Sequence, residues 1–247
     1  MNPSAQRIEL HPAYILHSKP YRDTSLLLEA FTRDHGRIGL VARGVRGNSG
    51  RRKMPLMAFR AYLMSWSGRG ELATLSKWEP HGPPGKLSGS SLMSAYYINE
   101  LMIRLTHRHD AHPVLFEYYR EVLDCLSRHT LSEACLRYFE LNLLDELGYA
   151  PDLGHEADSG EPVQAQASYC YLPEQGAMRA YGPCPGVRVG GKTLLELSER
   201  SLSDADSLKE SKRLMRAVLQ RYLGDRPLKT REIFRQSLNP SDRDQST

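Results

Sequence analysis

Residues 36–53 read Gly36-Arg37-Ile38-Gly39-Leu40-Val41-Ala42-Arg43-Gly44-Val45-Arg46-Gly47-Asn48-Ser49-Gly50-Arg51-Arg52-Lys53. The first part, Arg37 to Val41, is an aliphatic and β-branched run that reads as a strand. It gives way to a glycine-spaced series of cations without an acidic residue among them. Arg37, Arg43, Arg46, Arg51, Arg52 and Lys53 carry the charge, while Gly44, Gly47 and Gly50 loosen the backbone between them. Such a loop can follow a polyanion closely. A solvated hairpin tip has the same composition.

Other strands flank this one on both sides. Tyr14 to Leu16 precedes Lys19-Pro20, and Ser25 to Phe31 precedes Asp34-His35-Gly36. Ala58 to Trp66 and Glu71 to Trp78 are a further pair, joined by Ser67-Gly68-Arg69-Gly70 as a hairpin. A series of short strands so closely spaced suits a small antiparallel barrel. The OB-fold is the common five-stranded choice, and an SH3-like barrel fits nearly as well. Pro80-His81-Gly82-Pro83-Pro84-Gly85 then breaks the pattern and reads as a linker.

Helical periodicity takes over beyond it. Leu92, Tyr96, Asn99, Met102 and Ile103 share a stripe, and Val114 to Leu126 forms the next, entered through Pro113. Thr130 and Glu133 resemble a capping box for a helix ending at Gly148. A polar, Gly- and Pro-rich stretch from Pro151 to Gly191 interrupts, with short strands expected at Ser168–Leu172 and Met178–Tyr181. Ser203 is placed to cap a long helix through Leu223, and Lys229 to Phe234 suits a last short one. The expectation is an α+β chain: an OB-fold-like barrel over residues 1–80 that carries the candidate polyanion-binding loop, a mainly helical domain over 81–240 with an irregular insertion near 150–190, and a polar tail at 241–247.

Charge is unevenly spread. Residues 1–80 hold 13 Lys+Arg against 6 Asp+Glu, residues 81–207 hold 10 against 18, and residues 208–235 hold 9 against 3. Basic ends around an acidic middle suit an anionic partner met by the ends. Cys125, Cys135, Cys170 and Cys184 are too few and scattered for a disulfide framework, so reduced thiols and a cytoplasmic setting are expected. No stretch approaches the roughly 18 apolar residues of a membrane span.

Three segments in order resemble the RecO family of bacterial DNA repair proteins: Gly36-Arg37-Ile38 leading to Ala42-Arg43-Gly44-Val45-Arg46; Leu136-Arg137-Tyr138-Phe139-Glu140-Leu141 with Leu143-Leu144-Asp145-Glu146-Leu147-Gly148-Tyr149; and Pro227 to Gln236. The resemblance runs from about residue 8 to residue 237. It implies an N-terminal OB-fold and a helical C-terminal domain, binding of single- and double-stranded DNA, and annealing of complementary strands. It also implies contact with single-stranded-DNA-binding protein (SSB) and, together with RecR, assistance in loading RecA. Many members carry a four-cysteine zinc site after the Leu-Gly-Tyr motif. Here that region offers only Cys170 and Cys184, with His155 upstream, short of the four ligands structural zinc needs, so no zinc or other cofactor is expected.

For DNA the candidate residues are Arg37, Arg43, Arg46, Arg51, Arg52 and Lys53, flanked by Arg60, Arg69 and Lys77. Arginine's planar fork suits phosphate. Tyr62, Trp66 and Trp78 are candidates either for stacking on unpaired bases or for the barrel core; the even spacing of the first two puts both on one side. Lys209, Lys212, Arg213, Arg216, Lys229, Arg231 and Arg235 form a second basic set, read mostly as solvated helix face. For the acidic SSB tail, Arg120 and Arg137 are candidate rim cations beside Tyr119, Tyr138 and Phe139. His107, His109 and His112 with Asp110 straddle a helix end and read as dipole partners rather than metal ligands. No motif for catalysis appears; a metal-dependent nuclease and a pure protein adaptor are the alternatives.

Overall fold

The structure, a computed structural model, describes residues 7–46, 55–68, 70–83, 85–128 and 132–238. Its elements in chain order are β1 (Arg7–Tyr21), β2 (Ser25–Thr32), β3 (Gly36–Ala42), β4 (Ala61–Ser67), β5 (Leu72–Pro80), α1 (Gly89–Leu105), α2 (Pro113–Ser127), α3 (Ser132–Glu146), β6 (Ser168–Leu172), β7 (Gly176–Arg179), β8 (Val187–Gly190), α4 (Gly191–Ser198), α5 (Ala205–Leu223) and α6 (Lys229–Leu238). By contacts the chain forms two compact units, Met1–Ser127 and Arg128–Thr247. The first holds α1 and α2 as well as the barrel.

The barrel closes in the order β1-β2-β3-β5-β4, with β4 returning to β1. Only β3 and β5 run parallel. That closure is OB-like. Alternation sorts the side chains: Ala13 and Ile15, Leu28 and Ala30, Ile38, Leu40 and Ala42, and Tyr62, Met64, Trp66 and Leu75 fill the interior. Tyr62 and Trp66 therefore belong to the core, and Trp78 packs against it partly buried. The Tyr62 hydroxyl accepts from the Met57 amide and donates to the Pro55 carbonyl, which fixes the chain entering β4.

The opposite faces of β1 and β2 are covered by helices. Tyr14 and Phe31 meet Phe116 and Tyr119 of α2, with ring centroids 5.0 to 6.0 Å apart. Burial, with Asp124 adding to it, pushes the Tyr14 phenol up to about 12. The β1–β2 ladder shifts register between Ile15 and His17, leaving Leu16 as a bulge. The Leu16 carbonyl accepts from Asn99 Nδ2 of α1 at 2.8 Å, and Asn99 Oδ1 accepts from the Tyr119 hydroxyl at 2.6 Å. One bulge thus anchors two helices.

The second unit has a three-stranded sheet, β7-β6-β8, against which α5 packs. β8 and α4 fall inside and just after the stretch read as irregular. Gly191 opens α4 where any Cβ would stand 2.0 Å from the Gln164 carbonyl. Glu210 of α5 accepts from the Gly190 amide and the Thr193 hydroxyl at the start of α4. Asp204, rather than Ser203, caps α5, accepting from the Asp206 and Ser207 amides. Thr130, expected to cap α3, lies outside the described residues. The expectation of reduced thiols is corrected at all four cysteines: none is free, Cys125 and Cys135 are disulfide-bonded, and Cys170 and Cys184 form a disulfide with each other. Cys170 sits in β6 and Cys184 on the approach to β8, its antiparallel neighbour, and the pairing brings their Cα atoms to 5.4 Å. Linear spacing does not reveal that proximity.

Candidate nucleic-acid interface

Antiparallel pairing of Tyr21 with Ser25, and of Leu26 with Ala42, places the β1–β2 turn beside the chain leaving β3. The turn is tight: Arg22 takes a left-handed φ of 53°. The Arg46 amide donates to the Thr24 carbonyl at 3.0 Å, docking the start of the basic loop onto the turn. Gly44, at φ 66°, makes the bend that permits it. Arg22, Arg43 and Arg46 are consequently exposed around one end of the barrel. Arg22 lies over the Tyr21 ring, 5.3 Å from its centroid. A cleft of about 350 Å³ opens among Tyr21, Arg22, Thr24, Ser25, Val41 and Arg43.

Several other cations of the unit are neutralised by an acidic partner, and these three are not. Arg33 binds Asp34, Lys77 binds Glu79, and Arg7 binds Glu9. Among the described residues no carboxylate pairs with Arg22, Arg43 or Arg46. Three arginines without an ion-pair partner, set against the single carboxylate of the turn, Asp23, leave this end of the barrel net positive and attractive to phosphate.

The remaining sequence candidates are placed differently. Arg37 is corrected: it faces away from the barrel interior, but the chain after α1 covers it. Its guanidinium pairs with Glu29 at 2.9 Å and donates to the Thr106 carbonyl at 2.7 Å. With its side chain only 10% exposed, it is a structural group. Burial pulls its pKa down. Arg108 grips the same Glu29 and also Glu71, and the His109 amide donates to the Arg37 carbonyl. This clamp explains the glycine at 36, where a Cβ would stand 2.0 Å from the Asp110 carbonyl. His109 thus serves the clamp through its backbone, and His112 lies 3.3 Å from Asp110.

Arg60 is half-buried, its Nε enclosed without an acceptor among the described residues. Arg51, Arg52, Lys53 and Arg69 lie outside the described residues. Arg120 is exposed on α2 and pairs with Glu117. Arg137 is corrected as a rim cation: its side chain is 4% exposed and its Nη2 donates to the buried Glu140 at 2.5 Å, so an incoming carboxylate would have to displace Glu140. Tyr119 and Phe139, expected beside a groove, are core. On α5, Lys212 pairs with Glu133, and Lys209 and Arg213 stand 3.8 Å from Asp206 and Glu210, while Arg216 is exposed.

Arg22 was missed by sequence reading. Its signal was the hairpin itself: a cation in the turn between the first two strands must lie near the end of the third.

Residues 8–84 match the family model described as Recombination protein O N terminal, and residues 87–232 match Recombination protein O C terminal. The chain belongs to the RecO family. A DNA repair protein RecO from Aromatoleum aromaticum is 45% identical over 232 residues, covering 94% of this chain and 97% of the relative. One from Coxiella burnetii is 45% identical over 229 residues, 93% and 99% of the two chains, and one from Azoarcus sp. is 43% identical over 237 residues, 94% and 98%. The RecO N-terminal match spans the OB-like barrel, and with it Arg22, Arg43 and Arg46. No helix among the described residues is long and apolar enough to cross a membrane.

Proposed function

We propose that this RecO-family chain is a recombination mediator that binds single- and double-stranded DNA through residues 1–80 and anneals complementary strands. The observation that carries the reading is the set of three exposed arginines without an ion-pair partner among the described residues, Arg22, Arg43 and Arg46, at one end of an OB-like barrel. Annealing requires phosphate charge on two strands to be neutralised together while the bases remain free to pair. A mainly cationic surface meets that need better than base-specific pockets do. No covalent bond changes, so the reading requires no catalytic residue. Contact with RecR and SSB and assistance to RecA follow from family likeness. For the acidic SSB tail, Arg120 remains the exposed cation of the original pair, and residues 81–240 the helical region that would receive it.

The test is annealing of two complementary fluorescent oligonucleotides coated with the cognate SSB, without ATP or divalent metal. Wild type should accelerate annealing, and Arg22→Ala/Arg43→Ala/Arg46→Ala should lose most of that acceleration. Its affinity for single strands should also depend less on salt, with the slope of log K against log salt reduced by about 2 for three lost contacts. Wild type that neither anneals nor binds DNA at low salt would leave an adaptor for SSB and RecR as the function.

A further inference from the structure

The cleft at the β1–β2 turn has features that a merely cationic surface does not require. Its volume, about 350 Å³, is at the small end of the range for ligand pockets. Every polar side chain on its wall carries a donor, and none is a carboxylate: Arg22, Arg43, Thr24, Ser25 and the Tyr21 hydroxyl. Among the described residues the guanidinium groups of Arg22 and Arg43 have no anionic partner, and the hydroxyls of Thr24 and Ser25 make no side-chain hydrogen bond. Tyr21 is half-buried and held under Arg22, so an aromatic wall stands beside the donors. Arginine forks and hydroxyls suit a phosphate, whereas a ring and Val41 suit a sugar or base.

We propose that this cleft is a nucleotide subsite: it takes one nucleotide of an unpaired strand, with the phosphate on Arg22, Arg43 and the Thr24 and Ser25 hydroxyls and the sugar or base against Tyr21. The inference rests on the nucleic-acid reading above and deepens it. A base held in a duplex is paired and stacked, and would have to be extracted to enter. The cleft therefore favours single strands, while the surrounding arginines serve both forms.

The experiment uses the full chain and a charge-neutral variant, Tyr21→Leu/Thr24→Val, with fluorescence anisotropy of a labelled oligothymidylate and of a duplex at one salt concentration. Single-strand affinity should fall at least about five-fold, the lower range for losing one stacked base, with duplex affinity unchanged. Comparing 5′-phosphorylated with 5′-hydroxyl oligonucleotides separates two sources of the phosphate: a larger loss on the phosphorylated form assigns a strand end, and equal losses assign an internal diester. Unchanged single-strand affinity, or equal losses on single strand and duplex, would overturn the subsite. If the triple arginine variant still weakens binding, the cationic reading survives that result; if it too binds like wild type, both readings fail. Independently of folding of the variants, photocrosslinking of a 5-iodouracil oligonucleotide to wild type should label the peptide holding Tyr21. Label found only elsewhere would also overturn the subsite.

Discussion

Arg37 and Arg43 stand on one strand and its continuation, yet they have opposite roles. The difference lies in what faces them. Arg37 meets Glu29 from β2 and a carbonyl from the end of α1, while Arg43 meets solvent and the cleft. Arg37→Ala should therefore change stability rather than DNA affinity. A loss of about 2 kcal/mol is expected in urea unfolding, below the roughly 3–5 of a fully broken buried pair because Arg108 still holds Glu29. Reduced DNA affinity at unchanged stability would return Arg37 to the interface. The residue types were legible in the sequence, and Arg43 and Arg46 were placed correctly on the loop that leaves β3. The partners of Arg37 and Arg137 were not, because both partnerships depend on packing: one on a carbonyl far along the chain, the other on a buried helix face.

At the scale of elements, legibility followed periodicity and punctuation. Five strands and the first helices were readable because alternation, a first-turn proline and glycine stops marked them. β8 and α4 were not, since a four-residue strand and an eight-residue helix are too short to show a period. What secures that short sheet is cross-linking and capping: the Cys170–Cys184 disulfide on one side and Glu210 at the start of α4. Closing a loop of about this length contributes roughly 2–3 kcal/mol in the chain-entropy account. Cys170→Ser/Cys184→Ser should destabilise the second unit by that amount in urea unfolding without reductant, a condition that leaves the disulfide-bonded Cys125 and Cys135 intact. Equal stability of oxidised wild type and variant would show the cross-link contributes nothing.

For the whole molecule, net charge was a poor guide and its distribution a better one. A chain at +4 overall sorts its arginines into clamps and an open cationic end. The barrel itself is closed by β1 pairing on both edges, with β2 and with β4, so β1 has little freedom in its length. Yet β1 carries one residue more than its ladder with β2 can use, and that surplus is Leu16. Without it Ile15 and His17 would be consecutive and the ladder would run on unbroken, inside and outside preserved. Deleting Leu16 should therefore leave barrel closure intact and instead unmoor Asn99, and through it Tyr119. Near-ultraviolet circular dichroism should report loosened tyrosine packing, with far-ultraviolet strand signal retained; loss of both would mean the barrel needs the residue for itself. In the arithmetic of the chain, the barrel's spare letter belongs to the helices.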